Sequence, residues 1–395
     1  SRLAALHLAH LPVAPGALGC LSSSTPASFF TWSLNSLGRE SHCRHLNQKR
    51  SHLISKMVEA NQSNLTEDEA DLYDRQIRLW GLDSQKRLRA STVLLIGLKG
   101  LGAEFCKNIV LAGIKAITLL DDNDSTKEDT FYQFLIPREQ IGTNRAVASH
   151  QRAQRLNPMV EVKVDKESID KKPDDFFSQF SVVVATDCSL EQLLRINKIC
   201  HKANVKFYCA DVFGFYGYMF ADLQTQEYAD EKTVVKNVVK AAGNKKQKLD
   251  DVEMVKVTVK ETQQYSTLEE SLKITEKIKE RPARTAADTI PFFLLQVLLK
   301  FRTEQGRNPQ ASTREKDLEL LKKLRDSEMK DIGLSVEKIP DEYLLTVFSQ
   351  VSPACAILGG ELAHEVIKTL SQKGEPHNNF FFFNPVRNHG IVIKN

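Results

Sequence analysis

The feature that most constrains the fold of this chain is a regular alternation of short apolar runs with helical patterns. Residues 93–97 form an apolar run that ends in glycine, residues 101–112 have the apolar period of a helix, and residues 116–121 form a second apolar run. Similar strand and helix patterns continue to residue 212. Strands that alternate with helices predict an α/β fold with a doubly wound, mostly parallel sheet.

The composition of the chain predicts four segments. Residues 1–56 contain one acidic residue and six Lys or Arg residues, which is typical of a transit-type leader or of a non-native extension upstream of Met57. Residues 57–227 and 286–395 carry the α/β pattern. In residues 228–285 that pattern weakens, so we interpret this segment as a small, partly flexible insertion.

Charge, hydropathy and cysteine spacing argue against several classes of partner. Of the 395 residues, 42% are hydrophobic and 26% charged, and the net charge is +4. This charge gives no reason to expect nucleic acid or a membrane surface as a partner, and no run approaches the roughly 20 apolar residues of a membrane span. The seven cysteines form no C-x-x-C pair and no zinc-type cluster with histidine, so we expect no metal site and a reducing compartment.

A glycine-rich loop lies where a phosphate-binding turn belongs. Gly97, Gly100 and Gly102 stand between a strand and a helix, and Asp121 ends the next strand. In a working G-x-G-x-x-G turn the second glycine lets a pyrophosphate approach the backbone, but Lys99 occupies that position here. Two interpretations follow: a degenerate nucleotide site at a helix N-terminus, or glycines that serve only the turn and the helix packing.

Several short motifs occur together in the chain between residues 66 and 393. They are YDRQIRLWG at 73–81, GLKGLG at 97–102, NRA at 144–146, LNP at 156–158, DVFG at 211–214 and HNNFFFF at 377–383. With these motifs the chain resembles the family of enzymes that activate ubiquitin-like modifiers, and within it the smaller subunits of the SUMO-activating branch.

The resemblance implies a Rossmann-like adenylation fold and the role of a non-catalytic subunit. In this family the C-terminal carboxylate of a modifier attacks the α-phosphate of ATP, and a cysteine then takes the acyl group as a thioester. ATP and Mg²⁺ would be bound mainly by a larger catalytic SUMO-activating subunit, which forms a heterodimer with this chain and engages SUMO through the complex. The resemblance also implies a location in the nucleus, with some of the protein in the cytoplasm.

Substitutions at the phosphate-binding positions of the family favour an inactive site. Active members carry two Asn and one Arg where this chain has Asp129, Phe131 and Tyr132, and a Lys where it has Arg145. Arginine keeps the charge of that lysine but not its compact ammonium group. Asp187 stands where active members place a metal-linked aspartate, but without its usual companions a structural role is favoured for it.

The placement of the cysteines leads to the same interpretation. The transfer cysteine of the family lies between the two parts of the adenylation fold, and residues 215–300 of this chain contain no cysteine. Cys188, Cys200, Cys209 and Cys355 lie in apolar patterns, so we expect them to be buried. No thioester is therefore expected to form on this chain.

Arg75, within the YDRQIRLWG motif, is the remaining candidate for a role in the chemistry. In the family the matching arginine reaches the ATP of the partner and contacts terminal phosphate oxygens, so it would act in trans. Taken alone, Arg75 is better interpreted as an exposed helix charge that pairs with Asp71 or Asp74. Two other hypotheses for the chain stay open: an independent Rossmann-type nucleotide-binding enzyme, and a scaffold in which Arg75 is inert.

Overall fold

The computed structural model describes residues 66–237, 252–280, 286–384 and 389–395. The chain divides into two units, Ser1–Asn61 and Gln62–Asn395, and all described residues belong to the second. The predicted leader lies outside the described residues. The described part forms an α/β fold around one large sheet.

The central sheet has eight strands in the described residues, in the order β10-β9-β6-β5-β4-β1-β2-β3. Strands β1 to β5 pair in parallel, and β6, β9 and β10 extend the sheet in antiparallel fashion. The predicted doubly wound, mostly parallel sheet is confirmed. The strands are β1 Thr92–Ile96, β2 Ala116–Leu120, β3 Glu161–Asp165, β4 Val182–Ala185, β5 Lys206–Phe213, β6 Tyr216–Asp222, β9 Phe380–Asn384 and β10 His389–Ile393.

Helices cover both faces of the sheet, as in other α/β folds. One face carries α3, α4, α5 and α13, and the other carries α7, α10 and α11. No described helix combines the length and apolar character that crossing a bilayer requires. The α-helices are α1 Glu67–Leu72, α2 Asp74–Trp80, α3 Leu82–Ala90, α4 Gly100–Ala112, α5 Arg145–Leu156, α6 Asp174–Phe177, α7 Leu190–Lys202, α8 Leu268–Ser271, α9 Glu276–Lys279, α10 Ile290–Gln305, α11 Arg314–Asp331, α12 Asp341–Leu344 and α13 Ser352–Ser371.

The segment that was interpreted as a partly flexible insertion contains two strands that the sequence analysis missed. Strands β7 (Thr225–Asn237) and β8 (Val252–Gln264) pair along 13 positions as a two-stranded antiparallel ribbon. A signal was present, because Val255, Val257 and Val259 alternate with polar residues at the period of a strand. The abundance of lysine obscured this pattern.

Two further differences from the sequence-based expectation concern short elements. Strand β6 was not predicted, because all its residues are buried and it shows no alternation. Two short helices, α8 and α9, also lie within the segment that was interpreted as an insertion. Each begins after a threonine with extended backbone, Thr267 and Thr275, which is the conformation of a residue that starts a helix.

Four consecutive phenylalanines in β9 connect the two hydrophobic cores. Because side chains alternate along a strand, Phe380 and Phe382 enter the core on one face of the sheet, and Phe381 and Phe383 enter the core on the other. On the first face, Phe292 of α10 packs edge-on against Phe380 and Phe382, with ring centroids 5.8 and 6.2 Å away. Phe292 therefore joins α10 to strand β9 within that core.

We expect Phe292→Ala to destabilise the chain by about 3–5 kcal/mol, because it removes a fully buried ring and leaves a cavity. The matched control is Phe215→Ala, since Phe215 is 50% exposed and its loss should change stability by about 0.5 kcal/mol or less. Urea denaturation followed by circular dichroism measures both. Similar midpoints for the two variants would contradict this account of the core.

Candidate functional site

A polar cavity of about 390 Å³ lies at the carboxyl ends of the parallel strands. It is lined by Lys99 after β1, Asn123 after β2 and Asp187 after β4, together with residues of helices, among them Arg145 of α5 and Arg302 of α10. Ligands of open α/β folds bind at this edge of the sheet. The structure thus places the predicted glycine-rich loop at the position expected of a nucleotide site.

The backbone of the loop requires two of its three glycines. Gly97 has a φ of +86°, and a Cβ on it would lie 2.3 Å from the carbonyl oxygen of Thr186. A Cβ on Gly102 would lie 2.1 Å from the carbonyl oxygen of Gly97. Both contacts are too short for a side chain, so these glycines are explained by the turn and by close packing.

Two backbone donors of the loop are already hydrogen-bonded to side chains of the chain. The N–H of Leu98 donates to Asp121 Oδ2 at 2.8 Å, and the N–H of Gly100 donates to Gln350 Oε1 at 3.0 Å. Gln350 is fixed in turn, because its Nε2 donates to Asp211 Oδ1 at 3.3 Å. An amide oxygen therefore takes the position at the start of α4 where a phosphate oxygen would bind in an active turn.

The space beside Gly100 is filled as well. A Cβ on Gly100 would lie 2.9 Å from Cys355 Sγ, 3.0 Å from Cδ2 of Tyr132 and 3.1 Å from Gln350 Oε1. The Tyr132 hydroxyl donates to Asp129 Oδ1 at 3.2 Å, which holds the ring in place. The tyrosine that replaces a phosphate-binding side chain of the family thus packs against the backbone of the loop.

The cations in the cavity are paired with carboxylates. Lys99 Nζ lies 2.7 Å from Asp187 Oδ2, and Arg145 Nε lies 3.1 Å from Asp129 Oδ2. Burial alone would lower the pKa of Arg145, but Asp121 and Asp129 raise it above its ordinary value. Burial would likewise raise the pKa of Asp187, yet Lys99 and other nearby cations hold it below its ordinary value. A phosphate entering the cavity would have to displace these partners.

The residues of the cavity do not fit ATP and Mg²⁺. The donor at the start of α4 is bound to Gln350, the adjacent space holds Tyr132, and both cations that face the loop are neutralised. Asp187, the candidate for a metal-linked carboxylate, is paired with Lys99. The interpretation of the glycines as turn and packing residues is therefore favoured over a nucleotide site in this chain.

Two residues that line the cavity were missed by the sequence analysis. Gln350 accepts a hydrogen bond from Gly100, which lies 250 positions away in the sequence. Only the packing of α13 against α4 brings the two residues together. Arg302 is buried in α10 and forms an ion pair with Asp211, while its Nη1 donates to the carbonyl oxygen of Cys188 at 2.6 Å. A buried arginine within an apolar helix was the only available signal for this second contact.

Arg75 lies outside the cavity, on α2, with its side chain exposed. Its side chain forms no hydrogen bond or ion pair with any residue that the structure describes. The alternative partner Asp74 instead binds Arg78, with Nη2 2.9 Å from Oδ1. The guanidinium of Arg75 is therefore available to an external group.

The helix that carries Arg75 is held firmly by its neighbours. Tyr73 is 1% exposed, and its hydroxyl accepts a hydrogen bond from Asn157 Nδ2 at 2.9 Å. The ring packs so closely on Gly113 that a Cβ there would lie 2.4 Å from it. Gln76 Nε2 also donates to the carbonyl oxygen of Leu111 at 3.1 Å. Adjacent residues in the motif thus fix the backbone from which Arg75 projects.

The five cysteines in the described residues are buried and unpaired. Burial raises the pKa of Cys106, Cys200 and Cys355 to about 12, and it also raises the pKa of Cys188 and Cys209. The expectation that Cys188, Cys200, Cys209 and Cys355 are buried is confirmed. None has the exposure or the lowered pKa that a thioester nucleophile needs.

The chain belongs to the ThiF family, whose sequence model matches residues 73–394. It is 48% identical to "SUMO-activating enzyme subunit 1" of Homo sapiens over 345 residues, which cover 85% of this chain and 98% of that protein. The proteins of the same name from Xenopus tropicalis and Danio rerio are each 48% identical over 346 and 343 residues, or 85% of this chain and 98% and 97% of those proteins. The resemblance found in the motifs is confirmed, and membership of this adenylation family implies an ATP-dependent activity.

We expect the chain alone to show no saturable binding of ATP with Mg²⁺ at micromolar concentrations, because Gln350, Tyr132 and the paired cations occupy the phosphate position. Isothermal titration of the full chain, with the complete heterodimer as a positive control, measures this binding. A micromolar dissociation constant for the chain alone would support the independent nucleotide-binding enzyme.

We expect iodoacetamide at pH 8 to leave all five described cysteines unmodified in the native chain. A thiol with a pKa of about 12 is ionised in roughly one molecule in 10⁴ at that pH. Peptide mapping by mass spectrometry before and after denaturation in urea gives the measurement. Rapid native labelling of one of them would identify a reactive thiol that burial does not explain.

Proposed function

We propose that this chain is the non-catalytic smaller subunit of a heterodimeric SUMO-activating enzyme. The observation that carries the proposal is that the phosphate position of this chain is already filled. Gln350 accepts the hydrogen bond of the Gly100 N–H, and Tyr132 fills the space beside Gly100. The similarity to proteins named "SUMO-activating enzyme subunit 1" supplies the class of reaction. A larger catalytic subunit would bind ATP and Mg²⁺ and carry the reactive cysteine.

The proposed complex performs two steps. The C-terminal carboxylate of SUMO attacks the α-phosphate of ATP, which forms an acyl-adenylate and releases pyrophosphate. A cysteine thiolate of the catalytic subunit then attacks the acyl carbon, which forms a thioester and releases AMP. Both steps take place in the partner, and this chain supports them by completing the ATP site of the partner.

Arg75 is proposed to contribute in trans. Its guanidinium is exposed and without a partner among the described residues, whereas its helix is anchored through Tyr73 and Gln76. A rigidly mounted, permanently charged donor suits the binding of terminal phosphate oxygens. There it would neutralise the charge that develops on the leaving pyrophosphate. We also propose a nuclear location with a cytoplasmic fraction, by analogy with the family.

We expect Arg75→Ala to lower the rate of adenylation by about 10- to 100-fold. Arginine fingers that stabilise a transferred phosphoryl group are worth about 10³ to 10⁵ in rate, but here the arginine would contact the leaving group, so a smaller loss is expected. Arg75→Lys should recover part of the rate, because a lysine supplies charge without the planar fork. ATP–pyrophosphate exchange by the reconstituted heterodimer, across an ATP titration at saturating SUMO, measures these rates.

The matched control is Arg155→Ala, because Arg155 is also an exposed helical arginine and should leave the rate unchanged. Co-purification and thermal melting show whether each variant still folds and assembles, and one exposed arginine should affect stability by less than about 1 kcal/mol. A wild-type rate for Arg75→Ala at every ATP concentration would favour the inert scaffold. Failure of the wild-type chain to support exchange would overturn the proposed function itself.

A further inference from the structure

A cluster of metal-ligating side chains lies on α13, away from the cavity described above. Glu361, His364 and Glu365 follow the i, i+3, i+4 spacing that brings side chains to one face of a helix. One ligand atom from each lies within 4.8 Å of the others. The spacing of cysteines and histidines in the sequence does not point to this group.

A second histidine approaches the cluster from the segment after α13. His377 Nε2 lies 3.0 Å from Glu361 Oε1 and 3.8 Å from Glu365 Oε1. The His377 ring is stacked on Phe381, with centroids 5.6 Å apart and planes within 1° of parallel. The backbone N–H of His377 donates to Glu365 Oε2 at 2.6 Å. The stacking of the ring and the hydrogen bond of the backbone thus fix His377, and neither contact uses Nε2, its ligand atom.

Both carboxylates keep the capacity to bind a cation. Glu361 is partly buried and meets His377 Nε2 through Oε1 at 3.0 Å. Glu365 is fully buried, and its Oε1 accepts a hydrogen bond from Lys368 Nζ at 2.6 Å. Because Lys368 forms an ion pair with this oxygen, an arriving cation has to displace the ammonium group, which keeps the carbonyl oxygen of Glu375 as a second partner at 3.2 Å.

The cluster is open to solvent on one side. His364 is exposed, and it lines a cavity of about 380 Å³ together with Trp80 and Ile367. No hydrogen bond engages the His364 ring within the described part of the chain. A hydrated cation can therefore reach the cluster, and the imidazole can turn toward it without breaking a contact.

We propose that Glu361, His364, Glu365 and His377 form a binding site for a transition-metal ion of borderline softness, with Zn²⁺ as the expected occupant. Two imidazole nitrogens and two carboxylate oxygens make a four-ligand set that suits Zn²⁺. The ion replaces the contact between His377 Nε2 and Glu361 Oε1, and His377 binds through Nε2 as the neutral tautomer that carries its proton on Nδ1. The inference is independent of the proposed function.

The ligand set discriminates between metals. Mg²⁺ requires near-octahedral oxygen coordination and retains several waters, and Ca²⁺ takes six to eight oxygen ligands. A site with two imidazoles and only two carboxylates meets neither requirement. Zn²⁺ should therefore bind, and Mg²⁺ should not compete with it.

Titration of the metal-free full chain with ZnCl₂, followed by isothermal calorimetry, tests the site. We expect one saturable site that is weakened on the order of 10- to 100-fold by His364→Gln and by Glu361→Gln, and that 1 mM MgCl₂ leaves unchanged. Because residues 1–56 also contain Cys and His, the decisive quantity is the loss of one site in the variants relative to the native chain.

The matched control is His150→Gln, since His150 lies on α5 and its ring contacts the carbonyl oxygen of Val162. This variant should retain the full zinc stoichiometry. His364 is exposed, so His364→Gln keeps the test valid even if Glu361→Gln lowers the melting temperature. Equal stoichiometry and affinity in the native chain and the His364→Gln variant would overturn the proposal, and the cluster would then be only a hydrogen-bonded contact between α13 and the following segment.

Discussion

The hydrogen bond from the N–H of Gly100 to Gln350 Oε1 is the contact on which the character of this fold depends. It gives the first N–H group of α4 a hydrogen-bond acceptor from within the chain. In a working nucleotide site that N–H group would donate to a phosphate. The contact is possible because α13 packs closely on α4. A Cβ on Gly359 would lie 2.6 Å from Cβ of Glu104, so only glycine allows this approach. Helix packing thus determines what the loop can bind.

The ion pairs inside the cavity also explain how the fold keeps its stability without a nucleotide. Lys99 and Arg145 would repel each other and remain poorly solvated in an empty phosphate site. Their pairing with Asp187 and Asp129 removes this cost. Asp129 is fully buried, which is tolerable only because Arg145, Tyr132 and the backbone of Thr126 bind its carboxylate. The substitutions at Asp129, Tyr132 and Arg145 therefore depend on one another.

Much of the fold could be predicted from the sequence because its signals are local. The strand before Gly97, the helix that follows it and the strand before Asp121 depend on neighbouring residues, and the structure contains all three. Strand β6 was missed because continuous burial removes the alternation that marks a strand. The candidate site was harder to predict from the sequence, because the role of Gln350 depends on a contact between distant segments. The role of Arg75 depends on a surface outside this chain.

The alternation of Phe380 to Phe383 between the two faces of the sheet has a consequence for biosynthesis. Strand β9 pairs with β6. Until residue 384 has left the ribosome, the outer edge of β6 therefore stays unpaired. Over the same period Phe292 lacks its ring contacts with Phe380 and Phe382. Both cores are then completed by a single late segment. A nascent chain stalled before residue 380 should consequently remain sensitive to protease, and should expose the strand edge and apolar surface that chaperones bind.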